Sequence, residues 1–187
     1  AQDSEVINTL IDGARNGKRV TGFVDLKARF DEENNLHTAQ RMEAAGILII
    51  YSIPKLKVHA KAALVCGENP QKSYAYLSTG NFNEKTAELY SDMSLMTSEC
   101  SLTAELINLF FVLETKNRDV QFNHLLVAQF NMNENLIHMI HREAEIAKQG
   151  KKAQIILKMN GMLDPVMINE LYKASEAGVQ IDLIIRG

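Results

Sequence analysis

The sequence predicts an α/β fold: a mostly central sheet flanked by helices. Three observations carry this. A helix–glycine–strand unit recurs along the chain, its first and last copies align at a constant offset, and strand-like runs alternate with helical periodicity instead of following it in one block. The 187 residues are 46% hydrophobic and 23% charged, the ordinary balance of a chain that buries a core. That length allows one good core or two smaller ones.

The first copy begins as a helix whose Ile7, Leu10, Ile11 and Ala14 share a face. Gly17 stands where a left-handed cap is needed, and Val20 to Leu26 follows as strand. Thr38 to Gly46 and then Ile47 to Ile50 repeat the pattern. Leu56 to Val65 alternates, Ser73 to Ser78 is rich in tyrosine, and Ser91 to Thr97 is a further strand candidate. Leu102 to Glu114 reads as an amphipathic helix through Leu102, Leu106, Leu109, Phe110 and Leu113. Near His124 the pattern changes to a short strand over Leu125 to Ala128, a helix from about Asn135 to Lys148, and a strand over Gln154 to Met159. The last copy opens on Asp164 as N-cap with Pro165 at the first helical position. It runs through Ile168 and Leu171 to Gly178 and closes on the strand Val179 to Ile185. A boundary near residue 124 gives two domains, 1–124 and 125–187.

Ile7 and Ile168, Asn8 and Asn169, Leu10 and Leu171, and Gly17 and Gly178 each stand 161 apart (168 less 7). Asp3 and Asp164 keep the same offset. Two readings fit: any two α/β units look alike, or a domain has been duplicated and the second copy is cut short. The chain stops on Ile181-Asp182-Leu183-Ile184-Ile185-Arg186-Gly187, a buried-strand pattern, so the sequence reads as an internal piece of a longer protein.

The net charge of −3 is not that of a polycation, so an anionic partner needs a local basic cluster, and nucleic acid is not expected as a partner. Two cysteines, Cys66 and Cys100, make no disulfide framework and suit a reduced, cytosolic setting as small core hydrophobes. The eight methionines read mostly as core filler. No apolar run approaches a membrane span, and polar residues from Ala1 to Glu5 lead straight into helix, with no signal-peptide pattern.

The sharpest chemistry lies in Lys57-Val58-His59-Ala60-Lys61. On a strand, residues two apart share a face, so Lys57, His59 and Lys61 project together. A neutral imidazole is a competent nucleophile near neutral pH, and an adjacent ammonium neutralises phosphate oxygens during attack. A half-exposed strand that happens to carry these residues has the same pattern. The second element is Leu77-Ser78-Thr79-Gly80-Asn81-Phe82-Asn83, between a strand and a helix-like segment. Its glycine and amides suit an anion nest, with Thr79, Asn81 and Asn83 as further hydrogen-bonding groups, although Gly-Asn is also common turn chemistry.

His59-x-Lys61 followed by the Gly80-Asn81 turn resembles the phospholipase D superfamily motif. The acidic residue that motif carries five positions after the lysine is Cys66 here, which speaks against an ordinary phosphodiesterase. A longer resemblance covers nearly the whole chain. It runs through Asp25-Leu26-Lys27-Ala28-Arg29-Phe30-Asp31-Glu32-Glu33-Asn34-Asn35, Leu56 to Lys61, Ser78 to Asn83, Thr86-Ala87 and Tyr90-Ser91-Asp92. It continues through Leu157-Lys158-Met159-Asn160, Asp164-Pro165, Ala177-Gly178-Val179 and Ile181 to Gly187. These motifs, in this order and spacing, resemble the polyphosphate kinase family. The resemblance implies a phospholipase D-like mixed sheet flanked by helices, most of a first catalytic domain, and a truncated second copy.

It also implies roles. His59 falls on the family's phosphohistidine, which takes the terminal phosphate of ATP and passes it to polyphosphate. Arg29 falls on an arginine of the magnesium–phosphate site; a guanidinium has no lone pair for a metal, so it is expected to hold phosphate oxygens beside Mg2+. Tyr90 and Arg186 fall on nucleotide or phosphate contacts, Lys61 and Asn81 on the phosphoryl group, and Asp92 on a group that orients a base or lysine. Read from their surroundings alone, Arg29 beside Asp31 to Glu33 also suits a surface ion pair, Tyr90 a core tyrosine, and Arg186 an exposed strand end. The partners implied are ATP, ADP and inorganic polyphosphate, in a homo-oligomer that is cytoplasmic and sometimes peripherally membrane-associated. The family's active site needs groups from both catalytic domains, so the isolated piece is expected to turn over poorly. A phospholipase D-like phosphodiesterase and a non-catalytic anion-binding module are the alternatives. His138 and His141, one helical turn apart, offer a weak zinc reading with Glu134 or Glu145; His37 and His124 read as solvent or packing residues.

Overall fold

The computed structural model describes residues 4–24, 32–51, 53, 57–69 and 72–186, with only the backbone of 32–34. Two compact units divide the chain, Ala1–Val120 and Gln121–Gly187.

In the first unit, helix α1 (Glu5–Arg15) leads into β1 (Thr21–Val24), helix α2 (Glu32–Ala44) and β2 (Leu48–Tyr51). β1 and β2 pair in parallel, Thr21 opposite Leu48 through Val24 opposite Tyr51. A parallel pair needs a crossover, and α2 supplies it. Ile11, Ala39, Met42, Ile47 and Ile49 form the core between these helices and strands. Gly22 keeps the contact close: a Cβ there would stand 3.2 Å from the Ile49 side chain and 3.3 Å from that of Met42.

The chain then builds an antiparallel sheet of β3 (Lys61–Val65), β4 (Tyr74–Ser78) and β5 (Ser94–Thr97), with β4 in the middle. Helix α3 (Glu84–Leu89) sits between β4 and β5 in sequence, and α4 (Cys100–Thr115) contacts β3 and β4. α4 buries Leu106 fully. Ser4, buried ahead of α1, donates to the Glu84 carboxylate at 2.7 Å, tying the start of α1 to the start of α3.

In the second unit, α5 (Met132–Lys148), β6 (Gln154–Met159), α6 (Pro165–Glu176) and β7 (Gln180–Ile185) again make a parallel pair with a helical crossover. Its core is Ile140, Ala153, Ile155, Leu171, Ala174 and Val179. Asp164 caps α6 through the amides of Val166 and Met167, at 2.9 and 3.1 Å, with Pro165 beside it.

The four helices α1, α2, α5 and α6 share one way of ending, on Gly17, Gly46, Gly150 and Gly178, each at positive φ. After α1, Gly17 (φ +80°) donates to Ala14 and Lys18 to Gly13; after α6, Gly178 (φ +99°) donates to Ser175 and Val179 to Ala174. Each is the paired bond set of a Schellman cap, at equivalent positions of the two copies.

Four expectations change. Residues 125–128 form no strand: the Asn131 carboxamide donates to Phe122 and Leu125 carbonyls and accepts from the Val127 amide, so the segment's backbone groups are satisfied locally. α5 accordingly begins at Met132, not Asn135. Cys66 and Cys100 are both exposed, at a strand end and a helix start, where no core reaches them. Of the methionines, Met42 is core and Met162 and Met167 pack against the second unit's core, but Met93 and Met96 are about four-fifths exposed on the β5 side of the antiparallel sheet.

Candidate active site

One end of the antiparallel sheet brings Lys61 together with His59 and Asp92. Lys61 opens β3 opposite Ser78, and Ser78 closes β4 opposite Ser94. The pleat therefore puts Lys61, Ser78 and Ser94 in one row on one face. Residues 57–60 lie before the ladder, not on a strand as the alternating pattern suggested. The reason is the partner: beyond Ser78, β4 turns away at Thr79-Gly80 and has no pairing edge left for His59.

His59 is still held close to Lys61. The Lys61 ammonium donates to the His59 carbonyl at 3.0 Å and stands 3.1 Å from Nδ1 and 3.2 Å from Nε2. A point equidistant from the two ring nitrogens cannot lie along the lone pair of either, so this contact leaves both nitrogens approachable. The Lys61 charge, with smaller contributions from burial and Lys57, holds the His59 imidazole below its usual pKa. Lys61 is itself lowered, mainly by burial; the Asp92 carboxylate works against that shift, and Lys57 adds to it.

Asp92 owes its position to the glycine turn. The Thr79 hydroxyl donates to Asp92 Oδ1 at 2.9 Å and accepts from the Met93 amide at 3.0 Å. A Cβ on Gly80 would stand 2.5 Å from Asp92 Oδ2 and 2.7 Å from its Cγ, so the carboxylate occupies the space a side chain would need. Gly80 is thus required for side-chain room. Three of the turn's amides are taken by partners within the protein: Gly80 donates to Ser78 Oγ at 2.9 Å, Thr79 to the Met93 carbonyl at 3.0 Å, and Asn83 to the Asn81 carbonyl at 2.8 Å. Asn83 is instead the N-cap of α3, its carboxamide accepting from Thr86.

Asn81 is exposed in the turn, and Tyr90 is exposed at the C-cap of α3, two residues before Asp92. Lys61 is in electrostatic range of both His59 and Asp92. Arg186 lies exposed at the end of β7 in the second unit, its amide donating to Met159 at 3.3 Å. Arg29 lies outside the described residues. The zinc reading has no support among the described residues: no group of three or more His, Cys, Asp or Glu could hold a metal, and His141 is bonded to Glu170 at 2.6 Å. No helix among the described residues is long and apolar enough to cross a membrane.

One feature escaped the sequence. Tyr76 OH lies 2.9 Å from Ser94 Oγ, and Ser94 donates to Ser78 Oγ at 3.2 Å. The period-2 spacing of Tyr76 and Ser78 hinted at a shared face, but only strand register brings Ser94 to them.

Comparison with known proteins agrees on one family. Residues 1–119 match the description "Polyphosphate kinase C-terminal domain 1", and residues 125–187 match "Polyphosphate kinase C-terminal domain 2". The polyphosphate kinase of Salmonella typhimurium is 44% identical over the whole chain, and that of Synechocystis is 46% identical over 99% of it. The chain spans 28% and 26% of those two proteins. The crystal structure of polyphosphate kinase from Porphyromonas gingivalis superposes with a TM-score of 0.88 at 49% identity, covering 99% of this chain and 31% of that one. With a family description matched over well more than half its length, and the α/β architecture shared with that solved structure, this chain belongs to the polyphosphate kinase family.

Proposed function

We propose that the protein containing this chain transfers the terminal phosphate of ATP reversibly to inorganic polyphosphate, with His59 as the carrier. One observation supports it above the others: an exposed imidazole whose pKa the Lys61 charge lowers, with that ammonium beside the ring and in line with neither nitrogen.

In the first half-reaction a His59 ring nitrogen attacks the terminal phosphorus. The bond from that phosphorus to the bridging oxygen breaks, its electron pair stays on that oxygen, and ADP leaves. In the second, a terminal oxygen of polyphosphate attacks the phosphorus. The P–N bond breaks and its pair returns to the ring, regenerating neutral imidazole. Neither step consumes a proton at the ring, which is why a depressed pKa is useful. Lys61 meets the charge that builds on the phosphoryl oxygens, and Asp92, seated over Gly80, offsets part of the burial that lowers that lysine's pKa.

Asn81 binds the same phosphoryl group. Tyr90 and Arg186 contact the nucleotide, and Arg29 contacts its phosphates. Mg2+ in this reading is held with the nucleotide's phosphates, beside Arg29. Residues 1–124 act as the first catalytic domain and residues 125–187 as the start of a second, within a cytoplasmic homo-oligomer, peripherally membrane-associated in some settings.

Label exchange between ADP and ATP without polyphosphate tests the half-reaction directly. The full-length parent is expected to exchange, and His59→Ala to lose exchange. A variant exchanging at the parental rate contradicts the proposal.

A further inference from the structure

The sheet face that carries Lys61 also carries three hydroxyls in contact: Tyr76 to Ser94 at 2.9 Å, Ser94 to Ser78 at 3.2 Å, with Ser78 donating on to the Met93 carbonyl at 3.4 Å. We propose that Tyr76, Ser94 and Ser78 form a track for the phosphate groups of the polyphosphate chain that lie beyond the one being transferred. The proposal rests on the phosphotransfer reading and deepens it.

Geometry gives the track its place. Lys61, Ser78 and Ser94 are in register across three strands, a width of about 10 Å. That is room for several linked phosphates and more than one phosphate needs. The face is open, with Ser94 exposed and Tyr76 and Ser78 half-buried, while the chain packs α4 against β3 and β4 and buries Ala75 from the other side. Tyr76 is steadied by Phe82, ring centroids 5.5 Å apart, which aims its hydroxyl without using it.

The chemistry suits a repeating anion. Hydroxyls rotate and donate to phosphate oxygens without fixing a charge at one point. A polymer that must advance by one unit per cycle needs several weak, similar contacts, because a strong cationic site would hold one register. The row also ends loosely: at 3.4 Å the Ser78 bond to Met93 is at the limit of a hydrogen bond, so that proton is easily redirected to a ligand. Asp92, the carboxylate at this end, is engaged by Thr79 and offset by Lys61.

The test uses the full-length parent with Tyr76→Phe, which keeps the ring against Phe82 and removes only the hydroxyl, and with Ser94→Ala and Ser94→Thr. Polyphosphate and ADP are supplied, and KM is read for each. Tyr76→Phe and Ser94→Ala are expected to raise KM for polyphosphate roughly tenfold, leave KM for ADP within about twofold, and shorten the polymer made from ATP. Ser94→Thr, which restores a hydroxyl, is expected to recover most of the effect. An unchanged KM for polyphosphate in both hydroxyl-deletion variants overturns the track, as does an equal rise in both KM values. Acid-labile label at His59 in the parent reports separately on the phosphohistidine reading, so the two failures are distinguishable.

Discussion

The two ends of the chain carry the same backbone instruction and use it differently. α1 and α6 both close in a Schellman cap on a glycine of positive φ, at equivalent positions. Yet α1 buries Ile11, whereas the equivalent residue of α6, Tyr172, is 69% exposed and Leu171 and Ala174 are buried instead. The cap fixes where the helix stops and the strand starts, and local packing decides which face turns inward. His59, Lys61 and Asp92 lie outside the repeated helix–strand unit, at the end of the β3–β4–β5 sheet, whereas Arg186 directly follows the repeated strand β7. Backbone punctuation, packing and reactivity are therefore separable, and substitutions should affect one without the others.

The largest effect is expected on the chemical side. Lys61→Met removes the ammonium beside His59 and should slow phosphoryl labelling of the full-length parent by about 10²–10³-fold, roughly 2.7–4 kcal/mol. The pH dependence sharpens this. With Lys61 present, His59 stays neutral below the usual imidazole pKa of 6.5, so labelling should rise with pH on a limb below that value; in Lys61→Met the limb should move up toward it. A limb that stays in place would mean Lys61 does not set the imidazole's charge. On the packing side, Leu171→Ala opens the α5–α6–β6 core and should cost about 2–5 kcal/mol, read as faster amide exchange across those elements in the full-length protein. Slow exchange there would show that Leu171 is not central to that core.

Smaller effects follow from the turn and the caps. Gly80→Ala displaces the Asp92 carboxylate and should slow labelling about tenfold, with Asp92→Asn giving a loss of similar size. If Asp92→Asn were silent, Asp92 would be only a turn residue. Gly178→Ala places a Cβ at φ +99° and should destabilise the second unit by about 1 kcal/mol, with no shift in the pH profile of labelling.

Much of this was legible in the sequence because it is local. Gly17, Gly178, Asp164 and Pro165 signal caps whose partners lie within a few residues, and each sits where the pattern put it. His59 and Lys61 were legible as neighbours two apart, although the contact arises from a lysine folding back on a carbonyl and not from a shared strand. What the sequence hid is non-local. Register decides that Ser94 meets Ser78 and that Asp92 covers Gly80, and nothing near either residue announces it. Leu125 to Ala128 looked like a strand because its composition is apolar, and a single side chain six residues on, Asn131, claims its backbone instead.

The most direct test of the central claim is covalent. The full-length parent and its His59→Ala variant are incubated with γ-labelled ATP and Mg2+, and acid-labile, base-stable label on the protein is measured together with long-chain polyphosphate. Both signals in the parent and neither in the variant are expected. Polyphosphate made by the variant at the parental rate would show that His59 is not the carrier and would contradict the account.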